Sequence, residues 1–113
     1  MVRHPGLLYR FADDGMSIAS TVVSDVPLGE APSLYKTGNT YFWQSSSGTY
    51  WHANDNSYAT ATALGGPWTH RGHFCPTGSL TWQSQSTAVV SVSGSSGIAC
   101  LWSCGAHALR TGR

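Results

Sequence analysis

Charge is scarce in this chain. Of its 113 residues six are Lys or Arg and five are Asp or Glu, for a formal net charge of +1 at neutral pH. A nucleic-acid footprint needs a basic face, so that class of partner is excluded. No apolar run approaches membrane-spanning length, so no membrane partner is expected. Behind Met1-Val2-Arg3-His4-Pro5 the apolar stretch Leu7-Leu8-Tyr9 is too short for a signal peptide. Cysteine is sparse and odd in number: Cys75, Cys100 and Cys104 allow at most one internal bridge and leave a thiol over. No glycine-rich phosphate loop, serine–histidine triad or helical metal motif occurs, and no cofactor is expected. His70-Arg71-Gly72-His73-Phe74-Cys75 lacks the spacing and the fourth ligand of a structural zinc site. Its histidines read as surface strand and loop residues, and no metal site is expected.

What the chain does have is Ser, Thr and Gly with five Trp and five Tyr. That balance suits an extracellular-type β protein, whose aromatics serve either as core or as contacts to sugar faces. Short strands are expected at 7–10 and 16–23 around an Asp13-Asp14-Gly15 turn. A hairpin is expected from 33–36 and 40–45 around Thr37-Gly38-Asn39. Tyr41-Phe42-Trp43 puts aromatics on both faces of its second strand, which implies a strand covered on both sides. Residues 45–56 read as a polar loop, 57–62 as a strand, and 68–71 as a short edge strand after the Gly65-Gly66-Pro67 turn. A further strand is expected at 84–92, pairing with 98–102 across Ser93-Gly94-Ser95-Ser96-Gly97. Beyond that pairing, Ser103 to Arg110 does not look like the strand that should follow, which suggests a truncated or misread C-terminus.

Glu30 is the only glutamate. It stands where a loop opens a strand, and Pro32 two residues on removes a backbone donor, which suits a strand's rim. A carboxyl held there can be placed with the accuracy that general acid catalysis needs; equally, it can be a solvated rim residue.

Glu30-Ala31-Pro32-Ser33-Leu34-Tyr35-Lys36 is followed by Gly38-Asn39-Thr40-Tyr41-Phe42 and Thr49-Tyr50-Trp51-His52-Ala53-Asn54-Asp55. Tyr58-Ala59-Thr60-Ala61, Gly66-Pro67-Trp68-Thr69 and Ser84-Gln85-Ser86-Thr87 come next, in that order. This succession resembles glycoside hydrolase family 43, and most of all its galactan 1,3-beta-galactosidase-like branch. The resemblance is loose from Leu7 and good from Glu30 to about Val92. It implies an all-β fold, part of a five-bladed β-propeller. At roughly 40 to 50 residues per blade the chain would hold about two and a half. Residues 1–26 would end one blade, 27–74 form a whole one, and 75–113 begin the next. The remaining blades would be missing from this chain.

The resemblance implies hydrolysis of a polysaccharide or oligosaccharide, with exo-action on β-1,3-galactan and inversion at the sugar carbon. Arabinofuranoside or xyloside specificity is the runner-up. Glu30 becomes the general acid, which would call for partial burial or a neighbouring negative charge. Gln85 opens the following inner strand as Glu30 opens its own, and would position water or substrate; alternatively it bonds the sheet edge. Thr49, Trp51, Asn54 and Asp55 match a loop that approaches the substrate, where Trp51 either stacks on sugar or plugs the gap between blades. Ala53 stands where a proline is common, so the course of that loop departs from the pattern. The family's catalytic aspartates belong to blades that precede this chain; Asp13, Asp14 and Asp25 are not in the corresponding motifs. The intact protein is expected to be extracellular. The rivals are a non-catalytic carbohydrate-binding β module and an inactive truncated gene product.

Overall fold

The computed structural model describes residues 6–26, 29–50, 52–91 and 98–104, with 6, 24–26, 91 and 98–104 as backbone only. Among the described residues, eight strands form three antiparallel sheets. β1 (Gly6–Phe11) pairs with β2 (Ile18–Val26). β3 (Glu30–Thr37), β4 (Thr40–Ser46), β5 (Ser57–Ala61) and β6 (Thr69–His73) make a four-stranded meander. β7 (Ser84–Ser91) pairs with β8 (Ile98–Cys104). One four-stranded blade between two two-stranded sheets is part of a β-propeller.

Local chemistry explains the turns. The Asp14 carboxylate accepts the Met16 N–H at 2.9 Å, and Ala12 N–H donates to Ser17 O at 2.9 Å. These bonds keep Met16 and Ser17 in the turn, so β2 starts at Ile18 rather than at Met16 as expected. Gly38-Asn39 closes β3 onto β4 with Thr37 opposite Thr40, and Gly38 takes the left-handed φ of +55° that the turn requires.

Pro32 lies inside β3, two residues from its start. The register explains how the strand tolerates it: Glu30 is opposite Ser46, while Ser33 is opposite Gln44. One extra residue is thus fitted into β3 between these pairs, with Ala31 at φ +49°. The bulge spares Pro32 a ladder bond and re-aims the start of the strand that carries Glu30.

Alternation along β4 divides the blade into two faces. Trp43 and its partner Ala59 point one way, 4% and 1% exposed, and meet Leu8 and Val23 of the first sheet and Trp68. The Trp43 and Trp68 rings meet edge to face at 5.8 Å. Ser33, Gln44 and Ser46 point the other way, and β3 lies against β7 on that side, where the Ser33 and Ser86 hydroxyls bond at 2.7 Å. Apolar packing therefore joins the first sheet to the blade, and buried hydroxyls join the blade to the third sheet. Trp43 is buried, and Tyr41, Phe42 and Val89 are half-buried.

Three further expectations are corrected. Ser46 is a buried strand residue rather than part of the loop, and Ser45 belongs to β4 as the expected 40–45 strand has it. β6 runs Thr69–His73, two residues beyond the expected end, with Arg71 donating from Nε to Thr60 Oγ1 at 2.8 Å across the sheet. β8 includes Ser103 and Cys104, because Cys104 pairs with Ser84 and Ser103 with Gln85. Residues 105–113 lie outside the described residues.

Candidate active-site rim

The antiparallel registers bring several chain segments to one end of the blade. Glu30 opens β3 opposite Ser46, the last residue of β4. Ser57, first in β5, faces both Ser45 and His73, the last residue of β6. The β4–β5 loop (47–56), the start of β3 and the segment after β6 therefore share one rim. Gln85, second in β7, joins them from the third sheet by donating from Nε2 to Ser46 Oγ at 3.1 Å. Ser46, 1% exposed, thus sits between the two residues singled out in the sequence.

The backbone before Glu30 is tightly held. Gly29 N–H donates to Ser45 Oγ at 3.1 Å, and a Cβ at Gly29 would lie 1.3 Å from the Ser46 carbonyl oxygen. Only glycine permits that approach. Glu30 itself is exposed. The partial burial expected of a proton donor is not supplied by the described residues.

Thr49 and Asn54 tie the β4–β5 loop to itself. Asn54 donates from Nδ2 to Thr49 Oγ1 at 2.8 Å and accepts the Ser47 N–H at 3.1 Å; Thr49 Oγ1 bonds the His52 carbonyl at 2.5 Å. Asp55 faces elsewhere. Its Oδ2 accepts the Gly78 N–H at 2.7 Å and its Oδ1 the Leu80 N–H at 2.8 Å. Any substrate contact through Asp55 would have to share those oxygens. Trp51 lies outside the described residues.

The turn that Asp55 holds was not legible in the sequence. Leu80, Thr81, Trp82 and Gln83 all have φ between 49° and 60°. Such a left-handed run costs roughly 1–2 kcal/mol per non-glycine residue. Thr81, 1% exposed, anchors it by accepting the Asn56 N–H at 2.8 Å and donating to the Asn54 carbonyl at 3.1 Å. Ser84 Oγ donates to Thr81 O at 2.6 Å, and Asn56 Nδ2 to Ser84 O at 3.3 Å. The turn thereby fixes where β7 begins, and with it Gln85.

His70 and His73 are exposed; His73 Nδ1 bonds Thr77 Oγ1 at 3.0 Å and lies 3.9 Å from Asp55 Oδ2. Among the described residues no three His, Cys, Asp or Glu side chains gather as metal ligands.

Comparison with solved structures decides what this arrangement resembles. A Bifidobacterium bifidum protein assigned as an exo-β-1,3-galactanase is 37% identical and matches 77% of this chain with a TM-score of 0.70. The exo-β-1,3-galactanase 1,3Gal43A of Clostridium thermocellum is 31% identical over 85% of the chain, TM-score 0.72. The Phanerochaete chrysosporium exo-β-1,3-galactanase Pc1,3Gal43A, in an E208A form with β-1,3-galactotriose, is 26% identical over 74%, TM-score 0.67. The chain resembles glycoside hydrolase family 43, in its galactan 1,3-β-galactosidase branch. It spans 30%, 21% and 20% of the lengths of those three proteins. No family model and no curated protein matches the chain.

Proposed function

We propose that the whole protein carrying this chain hydrolyses β-1,3-galactan from its non-reducing end, with inversion. The observation that carries the reading is the shared rim: Glu30 and Gln85 open the inner strands of adjacent blades, and Ser46 bridges them. The likeness to exo-β-1,3-galactanases supports the substrate class.

In this reading the Glu30 carboxyl gives its proton to the glycosidic oxygen as the bond to the leaving sugar breaks. Water attacks the sugar carbon directly from the opposite face. Gln85 cannot take up a proton at neutral pH as an ordinary amide, so it holds the water or a sugar hydroxyl. The resemblance to family 43 implies that the activating carboxylate comes from the part of the propeller that this chain does not span; Asp14 holds the β1–β2 turn and Asp55 the turn at 78–80. Thr49 and Asn54 stiffen the loop beside the substrate, and burial of Glu30 is supplied by the same absent part or by the sugar. A polysaccharide substrate, too large to cross a membrane, places the enzyme outside the cell.

The test is a panel of β-1,3-galactan and aryl β-galactosides, α-arabinofuranosides and β-xylosides on the full-length protein. Release of galactose, formed first as the α anomer by proton NMR, is expected. Turnover confined to arabinosides or xylosides, or β-galactose as first product, would refute the reading.

A further inference from the structure

We infer that Ser46 is a positioning residue for Gln85, holding its side-chain amide in place at the rim. The inference rests on the reading of Gln85 given above. Its ground is the geometry around one hydroxyl. Ser46 Oγ receives the Gln85 Nε2–H at 3.1 Å, which ties the amide to the neighbouring blade. The other end of the amide is turned away from Ser46, where it can bond a water or a sugar hydroxyl.

Ser46 is suited to that task because it cannot move. Its side chain is 1% exposed, and its backbone pairs with Glu30 in the bulged ladder. Its carbonyl lies against Gly29 so closely that no Cβ fits there. The neighbouring Ser45 hydroxyl accepts the Gly29 N–H at 3.1 Å. On the other side, the Ser33–Ser86 hydroxyl bond at 2.7 Å ties β3 to β7 one residue beyond Gln85. One buried serine therefore couples the placement of the proton donor's strand to the orientation of the amide on the next blade. A serine at the end of a strand otherwise contributes only modest stability, which makes the two roles separable.

The test is a double-mutant cycle in the full-length protein, with kcat and KM on β-1,3-galactobiose measured per folded molecule. Loss of one orienting hydrogen bond should lower kcat of Ser46→Ala by roughly three- to tenfold, with KM nearly unchanged. In a Gln85→Ala background the same change should cost nothing further, because Ser46 acts through that amide. Additive losses in the double variant would overturn the inference, since Ser46 would then act independently of Gln85. An active Ser46→Ala beside a damaged Gln85→Ala would overturn the inference alone. A fully active Gln85→Ala would overturn the reading of Gln85 and this inference together. If Ser46→Ala does not fold, Ser46→Cys keeps the side-chain shape with a somewhat larger atom and a weaker acceptor, and should show a smaller kcat loss that is likewise absent without Gln85.

Discussion

Replacing Asp55 by Ala separates a structural carboxylate from a substrate ligand. Both of its oxygens are occupied, by the N–H groups of Gly78 at 2.7 Å and Leu80 at 2.8 Å. The side chain is 14% exposed, so solvent replaces these bonds only in part. Hydrogen bonds to a charged group contribute roughly 1.5–3 kcal/mol each. Allowing for that residual solvation, Asp55→Ala should cost about 2–4 kcal/mol. The loss falls on a turn already strained by four consecutive left-handed residues, Leu80 to Gln83. Without the carboxylate those residues gain by relaxing, and β7 loses its fixed starting point. The assay is urea unfolding of the full-length protein, followed by steady-state kinetics on the folded fraction. A lower midpoint with unchanged slope, and a fall in kcat shared with Gln85→Ala, would agree with a turn anchor. Unchanged stability with a raised KM alone would refute the reasoning and make Asp55 a direct ligand of the sugar.

Other outcomes follow from the same structure. Trp43→Ala should destabilise the protein by about 3–5 kcal/mol, because the ring is 4% exposed between two sheets; a midpoint shift worth less than about 1 kcal/mol would contradict that packing. Gly29→Ala should abolish folding or distort the start of β3, since its Cβ would fall 1.3 Å from the Ser46 carbonyl oxygen; a fully active, stable variant would disprove the close approach. The 113-residue chain expressed alone should associate, because Leu7, Tyr9, Phe11 and Ile18 are exposed on the first sheet. A sharp melt with monomeric sedimentation would show instead a self-sufficient domain.

The strands were legible where side-chain chemistry is local. Gly38-Asn39 marks a two-residue turn whatever surrounds it, and Tyr41-Phe42-Trp43 marks a covered strand. The order of motifs from Glu30 to Thr87 carried the propeller, since each motif sits at a strand start or a turn. What remained hidden depends on contacts distant in sequence. Ser46 reads as loop because serine is usually exposed; its burial follows from the approach of Gln85, 39 positions away, and that of Ser45 from Gly29, 16 positions away. The left-handed turn at 80–83 escaped for a related reason. None of its residues favours positive φ, and it is held by bonds to Asn54, Asp55 and Asn56, about 25 positions earlier. A buried polar pair such as Asn56 and Thr81 leaves no periodic trace in the sequence. The Pro32 bulge was half visible: the proline signalled a broken ladder, but the extra residue appears only in the register.

The central claim is that Glu30 is the proton donor of a galactan-cleaving rim, and the dependence of Glu30→Gln on leaving group tests it most directly. The substitution keeps the shape and removes the transferable proton. In the full-length protein, kcat/KM on β-1,3-galactobiose should fall by roughly a hundred- to ten-thousand-fold. On an aryl β-galactoside whose phenolate leaves without proton assistance, the fall should be far smaller. Equal and small losses on both substrates would contradict the account.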